Sequence, residues 1–416
     1  MKRFLCWLLP LLLLLGGCRK NSPIAEMRAD TEALEPTESG EALPVVESYE
    51  DFAALLSAAL IDGQDNKNLS PVSVYLALAM AAEGANGQTR AEFLDLLGAK
   101  SAEDLRKSVE GMLRSLKLSG ETGELALANS IWLGEQTGEA AFHAPYLKTL
   151  SDSYEAEART VRFGEADAGE RIAAWIREKT RDKVKVSEDA MRFDAGTLAV
   201  LLNTVYLKDG WQTPFEKDLT EQGTFHGLNG QELPVSYMRR TVTDTSIVRG
   251  EGFLRYAMPL NEVGRMVFVL PDEGVSLESL LGSPEKIEEL LNGGEEIVAD
   301  VSVMMPKFSF QDRTDLEETL MGLGVRTCFT GGADFSVMTD MPTYISRVLQ
   351  ESHIGVDENG VTAAAYTMIV MAKSAAIHSE RERVDFHLTR PFLYAIESRD
   401  GTVLFIGTVT SPDEAH

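Results

Sequence analysis

Cysteine is nearly absent from this chain of 416 residues: Cys6, Cys18 and Cys328 are all it has, and the first two lie in the apolar N-terminal region. With one thiol in the body of the chain, a disulfide-stapled fold is excluded, so stability has to come from a core. A hydrophobic fraction of 44% over this length is enough to build one. The short motifs of common catalytic sites are missing too. There is no G-x-S-x-G elbow, no H-E-x-x-H, no G-x-x-x-x-G-K-[ST] and no G-x-G-x-x-G after a strand. His143, His226, His353, His378, His387 and His416 are scattered without metal-ligand spacing, so neither a metal nor a cofactor is expected. A triad could still assemble from distant positions, since triads are defined by geometry; nothing singles out its members, and an unrelated enzyme stands as an alternative reading. Positive charge is scarce as well, with 39 Lys and Arg against 65 Asp and Glu and a formal charge of -26. No window concentrates basic residues between aromatics, which argues against nucleic acid as a partner.

The chain opens with Lys2 and Arg3, an apolar run from Phe4 to Leu15, and then Gly16, Gly17 and Cys18. Residues 1–17 read as a secretory signal, because the uncharged span is short of the roughly 20 residues a bilayer-crossing helix needs. L-G-G-C resembles a bacterial lipobox, whose cysteine is acylated and becomes the new N-terminus, so Cys18 is the expected membrane anchor. Arg19 stands where an aspartate would signal retention at the inner membrane. The expected location is therefore exported and lipid-anchored, at the cell surface or outer membrane. Residues 18–47 are acidic, rich in Pro, Glu, Ser and Thr, and read as a disordered tether.

Folded structure is expected over residues 48–412 as a single domain, since no linker or repeat interrupts it. S-Y-E-D at Ser48 offers a capping box for a first helix, and Ser70 with Pro71 starts a second that runs to Gly84. Thr89 with Glu92 opens a third that stops at Gly98, and Leu105, Val109, Met112 and Leu116 mark a fourth. Helical patterns recur at Pro145 to Tyr154, Arg171 to Thr180, Leu277 to Leu291 and Asp315 to Leu323. Strand-like apolar runs span Leu125 to Leu133, Leu198 to Leu207, Met266 to Leu270, Ile297 to Met304 and Val403 to Val409. Helices and strands do not alternate regularly, so the fold class is α+β with long-range antiparallel pairings.

Against this background the most telling stretch is Val356 to Ala376. After Asp357, Glu358 and Gly360, the residues from Val361 to Ala372 carry no charge, no proline and no further glycine. Proline would block a central ladder position and charge would resist burial, so insertion into the middle of a sheet stays open to this segment. Side chains alternate along a strand, putting Val361, Ala363, Ala365, Thr367 and Ile369 on one face and Thr362, Ala364, Tyr366 and Met368 on the other. The first set is small or β-branched and can be buried whole. On this window alone, an ordinary core strand or buried helix is the competing reading.

Five segments in order carry a family resemblance: N-K-N-L-S-P-V-S-V-Y-L-A-L-A-M-A-A-E-G-A-N-G-Q-T from Asn66 to Thr89, L-L-N-T-V-Y-L-K-D-G-W-Q-T-P-F from Leu201 to Phe215, V-M-M-P-K-F from Val303 to Phe308, G-A-D-F-S from Gly332 to Ser336, and R-P-F-L-Y-A-I-E-S-R-D-G-T-V-L-F-I-G-T-V from Arg390 to Val409. Together they resemble the serpins over nearly the whole mature chain. The resemblance implies a large mixed and antiparallel central sheet with additional sheets, about eight or nine helices, and an exposed reactive loop at about residues 357–383. It also implies a suicide inhibitor of serine, or alternatively cysteine, proteases rather than an enzyme. The target attacks the loop and forms an acyl-enzyme; the loop then inserts into the main sheet and carries the protease with it.

Residue by residue, the resemblance makes Glu358, Gly360, Val361, Thr362, Ala363, Ala364 and Ala365 the hinge; Val361 replaces the threonine or serine frequent there but stays compact. The cleaved bond falls after Ser374, before Ala375, which suits elastase-like or subtilisin-like targets, or after Lys373, which suits trypsin-like ones; Met371 and Ala372 are outlying candidates. Asn203, with Ser70 and Ser73, matches the family's sheet-opening network. The histidine expected there is replaced by Gln350, which can both donate and accept, so a histidine-based pH response is absent. Ser70 is expected to act as a helix cap too. A monomer that forms loop–sheet polymers on heating is expected. The alternative function is a non-inhibitory serpin serving as a surface binding or carrier protein.

Overall fold

A computed structural model describes residues 47–118, 123–135, 141–184, 186, 191–361 and 381–412. In chain order the elements are α1 (Glu47–Leu60), β1 (Lys67–Leu69), α2 (Pro71–Gly84), α3 (Gly87–Leu96), α4 (Ala102–Ser115), β2 (Glu124–Gly134), α5 (Ala144–Tyr154), β3 (Glu157–Val161), α6 (Ala166–Lys179), β4 (Ala199–Gly210), β5 (Glu221–His226), β6 (Glu232–Gly250), β7 (Phe253–Pro259), β8 (Gly264–Pro271), α7 (Pro284–Asn292), β9 (Glu295–Pro306), β10 (Phe308–Asp315), α8 (Glu317–Gly322), β11 (Ile345–Val356), β12 (Gly360–Val361), β13 (Arg383–His387), β14 (Phe392–Ser398) and β15 (Val403–Val409). The α+β class and the mixed sheet expected from the sequence are what the structure has, with eight α-helices among the described residues.

Two sheets organise the molecule. The larger has nine strands, running β1-β15-β14-β8-β7-β6-β9-β13 with β5 paired to β6. The other runs β10-β11-β4-β2-β3, with the short β12 entering at the β11–β4 boundary. Helix α2 is buried along its whole length, as its apolar composition dictates, and packs in the main core with Leu201, Val205 and Leu207 of β4 and Val348 and Ile354 of β11. The opposite face of the same strands, carrying Val200, Leu202 and Leu349, packs with Ile172, Trp175 and Ile176 of α6 in a second, smaller cluster. Strand alternation thus gives this sheet two buried faces.

Several boundaries differ from the sequence reading. The run Leu277 to Leu291 is broken: a short 3-10 turn covers Glu278–Leu280 and α7 restarts at Pro284. Gly282 takes φ +95°, and Ser283 caps α7 through its hydroxyl, which accepts from Lys286 N, with Pro284 in the first turn. Helix α6 begins at Ala166 rather than Arg171, α3 at Gly87 rather than Thr89, and α8 spans only Glu317–Gly322.

Candidate functional site

Strands β4 and β11 run parallel and pair directly from Ala199 with Ile345 to Val205 with Ser352. Above that stretch they diverge, and the gap is filled by β12. Val361 pairs antiparallel with Val356 of β11 and with Asp209 of β4, and Gly360 pairs with Gly210. Chain direction reverses through a tight turn: Asp357 N donates to Gly360 O at 3.0 Å, while Asp357 Oδ1 accepts from Asn359 N at 2.7 Å and Gly360 N at 3.3 Å. Gly360 has to be glycine, because a Cβ there would lie 2.1 Å from Asp209 O. Val361 is 2% exposed and joins the main core, so its face of the segment points inward.

The segment after β4 grips this turn through three carbonyls. Trp211 Nε1 donates to Asp357 O, Trp211 N to Asn359 O and Phe215 N to Glu358 O, each at 2.9 Å. Glu358 is buried; its carboxylate accepts from Thr220 Oγ1 at 2.9 Å and pairs with Lys307 Nζ at 3.3 Å. Burial pushes this carboxyl up, but its own backbone N–H, Thr220 and Lys307 outweigh that and hold it below the usual carboxylate range. Beside it, Asp209 accepts from Gly210 N, Glu262 N and Val263 N, each at 2.8 Å. Burial nevertheless leaves the Asp209 carboxyl raised.

Lower in the sheet, one row of polar side chains crosses three strands. Asn129 of β2 is opposite Asn203 of β4, which is opposite Gln350 of β11. Asn203 Nδ2 donates to Asn129 Oδ1 at 2.7 Å, to Ser73 O at 3.0 Å and to Ser73 Oγ. Gln350 Nε2 donates to Asn203 Oδ1 at 3.2 Å and to Ser70 O at 3.0 Å, and Gln350 Oε1 accepts from Ser70 N at 3.0 Å. All are buried. The structure therefore brings Ser70, Ser73, Asn203 and Gln350 together, with glutamine donating and accepting at once. One expectation is corrected: Ser70 stands at the N-cap position of α2, but its hydroxyl makes no capping bond and is buried without a partner, while its backbone N–H and C=O both bond to the Gln350 amide. Asn129 was missed. The available signal was a lone amide, next to Ser130, in the mostly apolar run Leu125 to Leu133, matching the lone amide of β4.

On the opposite face, Glu351 of β11 is buried with Arg313 Nε at 3.5 Å, and burial pushes its carboxyl up to about 7. His353 shares that face, where its Nε2 meets Ser309 Oγ at 3.3 Å; burial lowers its basicity. Thr362, Ala363, Ala364 and Ala365 of the hinge, the candidate bond at Lys373, Ser374 and Ala375, Cys18, the signal and the tether up to residue 46 lie outside the described residues, and Glu47, counted with the tether, begins α1. Among the described residues no group of His, Cys, Asp or Glu is arranged to hold a metal ion. No helix among them is long and apolar enough to cross a membrane.

A family model described as serpin, serine protease inhibitor, matches residues 47–412. A serpin-like protein of Thermococcus kodakarensis is 30% identical, with all of both chains covered. Serpin B6 of Pongo abelii is 31% identical over 84% of this chain and 95% of its own. Among solved structures, the thermophilic serpin tengpin in its native state aligns with a TM-score of 0.77 at 29% identity, over 88% of this chain and 93% of that one. Human thyroxine-binding globulin complexed with thyroxine shares the fold at a TM-score of 0.76 and 24% identity, over 88% and 98%. With the family matched across the whole described body and the short strand β12 seated between β4 and β11, this chain belongs to the serpin family.

Proposed function

We propose that this serpin is a suicide inhibitor of extracellular serine proteases, acting by cleavage of the loop that follows β12, acyl-enzyme trapping and insertion of the loop between β4 and β11. Serpins are in general protease inhibitors rather than enzymes; what is proposed is that this member inhibits, and how. The supporting observation is the placement of Gly360 and Val361 as an antiparallel wedge between two parallel strands. A parallel pair is a poor final state for these edges, since an intervening antiparallel strand would satisfy both ladders with more favourable bonds. Each step forward along the loop is a step back on both neighbours. Continued in register, Ala363 would fall between Leu207 and Ile354, Ala365 between Val205 and Ser352, and Thr367 between Asn203 and Gln350.

That register gives the polar row a role. Parting the strands breaks the Gln350–Asn203 hydrogen bond, and leaving such buried amides unpaired would cost about 1–3 kcal/mol. A threonine hydroxyl arriving at that level can donate to one amide oxygen and accept from the other amide nitrogen. Inward positions Val361, Ala363 and Ala365 bring no charge into the core. At about 3.3 Å per residue, inserting a dozen residues carries the protease roughly 40 Å.

The reactive bond is proposed to follow Lys373 or Ser374, and the chain to be exported and anchored at the membrane through an acylated Cys18, placing inhibition at the cell surface. Mixing the protein with trypsin and with elastase, followed by denaturing gels and mass spectrometry, tests the function. A covalent complex and a released peptide beginning at Ser374 or Ala375 are expected. Clean loop cleavage without complex across a protease panel would overturn inhibition and favour a non-inhibitory binding or carrier role.

A further inference from the structure

Helix α6 packs on β4 of the six-stranded sheet, and its Ile172, Trp175 and Ile176 share one buried cluster with Val200 and Leu202 of β4 and Leu349 of β11, the strands on the two sides of the boundary. A strand entering at that boundary must pass beneath the helix, so whatever holds α6 down also resists entry. Beside that apolar packing, a polar part of the hold gathers on one carboxylate. Glu157, the first residue of edge strand β3, accepts from Arg159 Nε at 2.9 Å and Nη2 at 2.6 Å, and from Trp175 Nε1 at 3.1 Å, and pairs with Lys179 Nζ at 2.5 Å.

Trp175 and Lys179 are one turn apart on α6, so both ends of that turn are drawn to the same point. The Glu157 side chain is 17% exposed, enough to be desolvated in part and to make charge-assisted bonds stronger than on an open surface. Burial pushes its carboxyl up, but Lys179 and Arg159 outweigh that and leave it below the usual carboxylate range, so it is charged at neutral pH. The tie is one-sided. Among the described residues, β11 contributes Leu349 alone to the cluster beneath α6.

We propose that Glu157 is a positioning residue for strand insertion: by clasping α6 to β3 it holds the helix over the boundary and sets how readily β4 and β11 part. The consequence for inhibition rests on the function proposed above, whereas the clasp itself is measurable without a protease. Removing the charge by Glu157→Gln keeps the shape and one amide oxygen for Trp175 but loses both ion pairs.

The test is native-state hydrogen exchange on the full chain, comparing the parent with Glu157→Gln. Amides of residues 199–205 and 345–352 are expected to exchange at least about threefold faster, while those of β7 and β8 stay unchanged. Faster exchange confined to α6, or no change anywhere, would overturn the proposal, since the clasp would then only pin the helix locally. If Glu157→Gln fails to fold, Lys179→Met, which removes one partner, is expected to move the same amides by a smaller factor, and no effect there would equally overturn it. In protease mixtures the parent's own covalent complex reports on the inhibitor reading. If that complex is absent, the function falls and the exchange result still decides the clasp; if it is present, Glu157→Gln is expected to change the ratio of complex to cleaved product.

Discussion

The two sides of β11 are held very differently. Toward β10 it is antiparallel, and side chains reinforce the ladder: Arg313 to Glu351, Arg347 to Asp315 with contacts of 2.6 and 3.2 Å and His353 to Ser309 on one face, and Ser352 Oγ to Asp312 O at 3.5 Å on the other. Toward β4 it is parallel, and the side-chain links include Gln350 to Asn203, Thr204 Oγ1 to Glu351 O at 3.2 Å and, just before β4 begins, Leu198 N to Ser346 Oγ at 3.0 Å, none of them an ion pair. Parallel ladders are slightly weaker per residue, so sheet geometry and side-chain ties agree on where this sheet yields. The difference supports the proposed parting of β11 from β4 while it keeps β10.

Breaking the wedge should have the largest effect. Val361→Arg would bury a charge between Val356 and Asp209, and the covalent complex with any target protease is expected to give way to plain cleavage, read on denaturing gels. Next comes the grip at the top of the boundary. Glu358→Lys would set two ammonium groups together where Lys307 now has a carboxylate, at a cost of about 3 kcal/mol; earlier self-association on heating, followed by light scattering, is expected, and an unchanged onset would show that the grip does not guard the boundary.

The polar row should matter somewhat less. Gln350→Ala strips the partners of Ser70 N, Ser70 O and Asn203 Oδ1, costing about 1–3 kcal/mol in thermal unfolding. Gln350→His is expected to recover part of this and to add a histidine titration to the polar row, which in the parent holds no titratable group.

Glu351 gives a pH test with a defined sign. Its carboxyl is raised from 4.5 to about 7 in the folded state, so its contribution to stability is full below about 4.5 and is lost as pH rises through about 7. Glu358 is shifted the other way, so its contribution is present above the ordinary carboxylate value and is lost as pH falls through the lowered one. Glu351→Gln is expected to flatten the loss of Tm toward pH 8, a gain on the order of 1 kcal/mol there, while leaving the acid limb in place. Arg347→Ala, at an exposed pair on the β10 side, is expected to change stability by less than about 1 kcal/mol.

Much of this could be read from the chain. Helices α1, α2, α4 and α5 follow from their apolar patterns and, in α2 and α5, from a proline in the first turn, although α1 begins at Glu47 and so takes in Ser48, the expected cap; Gly360 and Val361, where the uncharged run begins, are the residues seated between β4 and β11. Asn203 stood out as a lone amide in an apolar run. What stayed hidden depends on which strands become neighbours. Asn129 is unremarkable until β2 lies beside β4, and Glu157 looks like any edge-strand acid until α6 folds over it and brings Trp175 and Lys179 to the same carboxylate. Ser70 was misread because a serine before Pro71 is a good local cap signal, whereas its hydroxyl makes no capping bond and its backbone is tied to Gln350 of a distant strand. The unbroken helix expected over Leu277 to Leu291 failed for a local reason: G-S-P at residues 282–284 is itself a stop and restart signal, overruled in the reading by apolar spacing.

The most direct test is a pair of engineered disulfides, one on each side of β11. Val205→Cys with Ser352→Cys joins register partners of β4 and β11, and Gln311→Cys with His353→Cys joins register partners of β10 and β11; paired strand positions approach the geometry a disulfide needs. The expected result is that the first bridge abolishes the covalent protease complex and reduction restores it, while the second bridge leaves the complex intact. A complex that forms undiminished with β4 and β11 locked together would contradict insertion at this boundary.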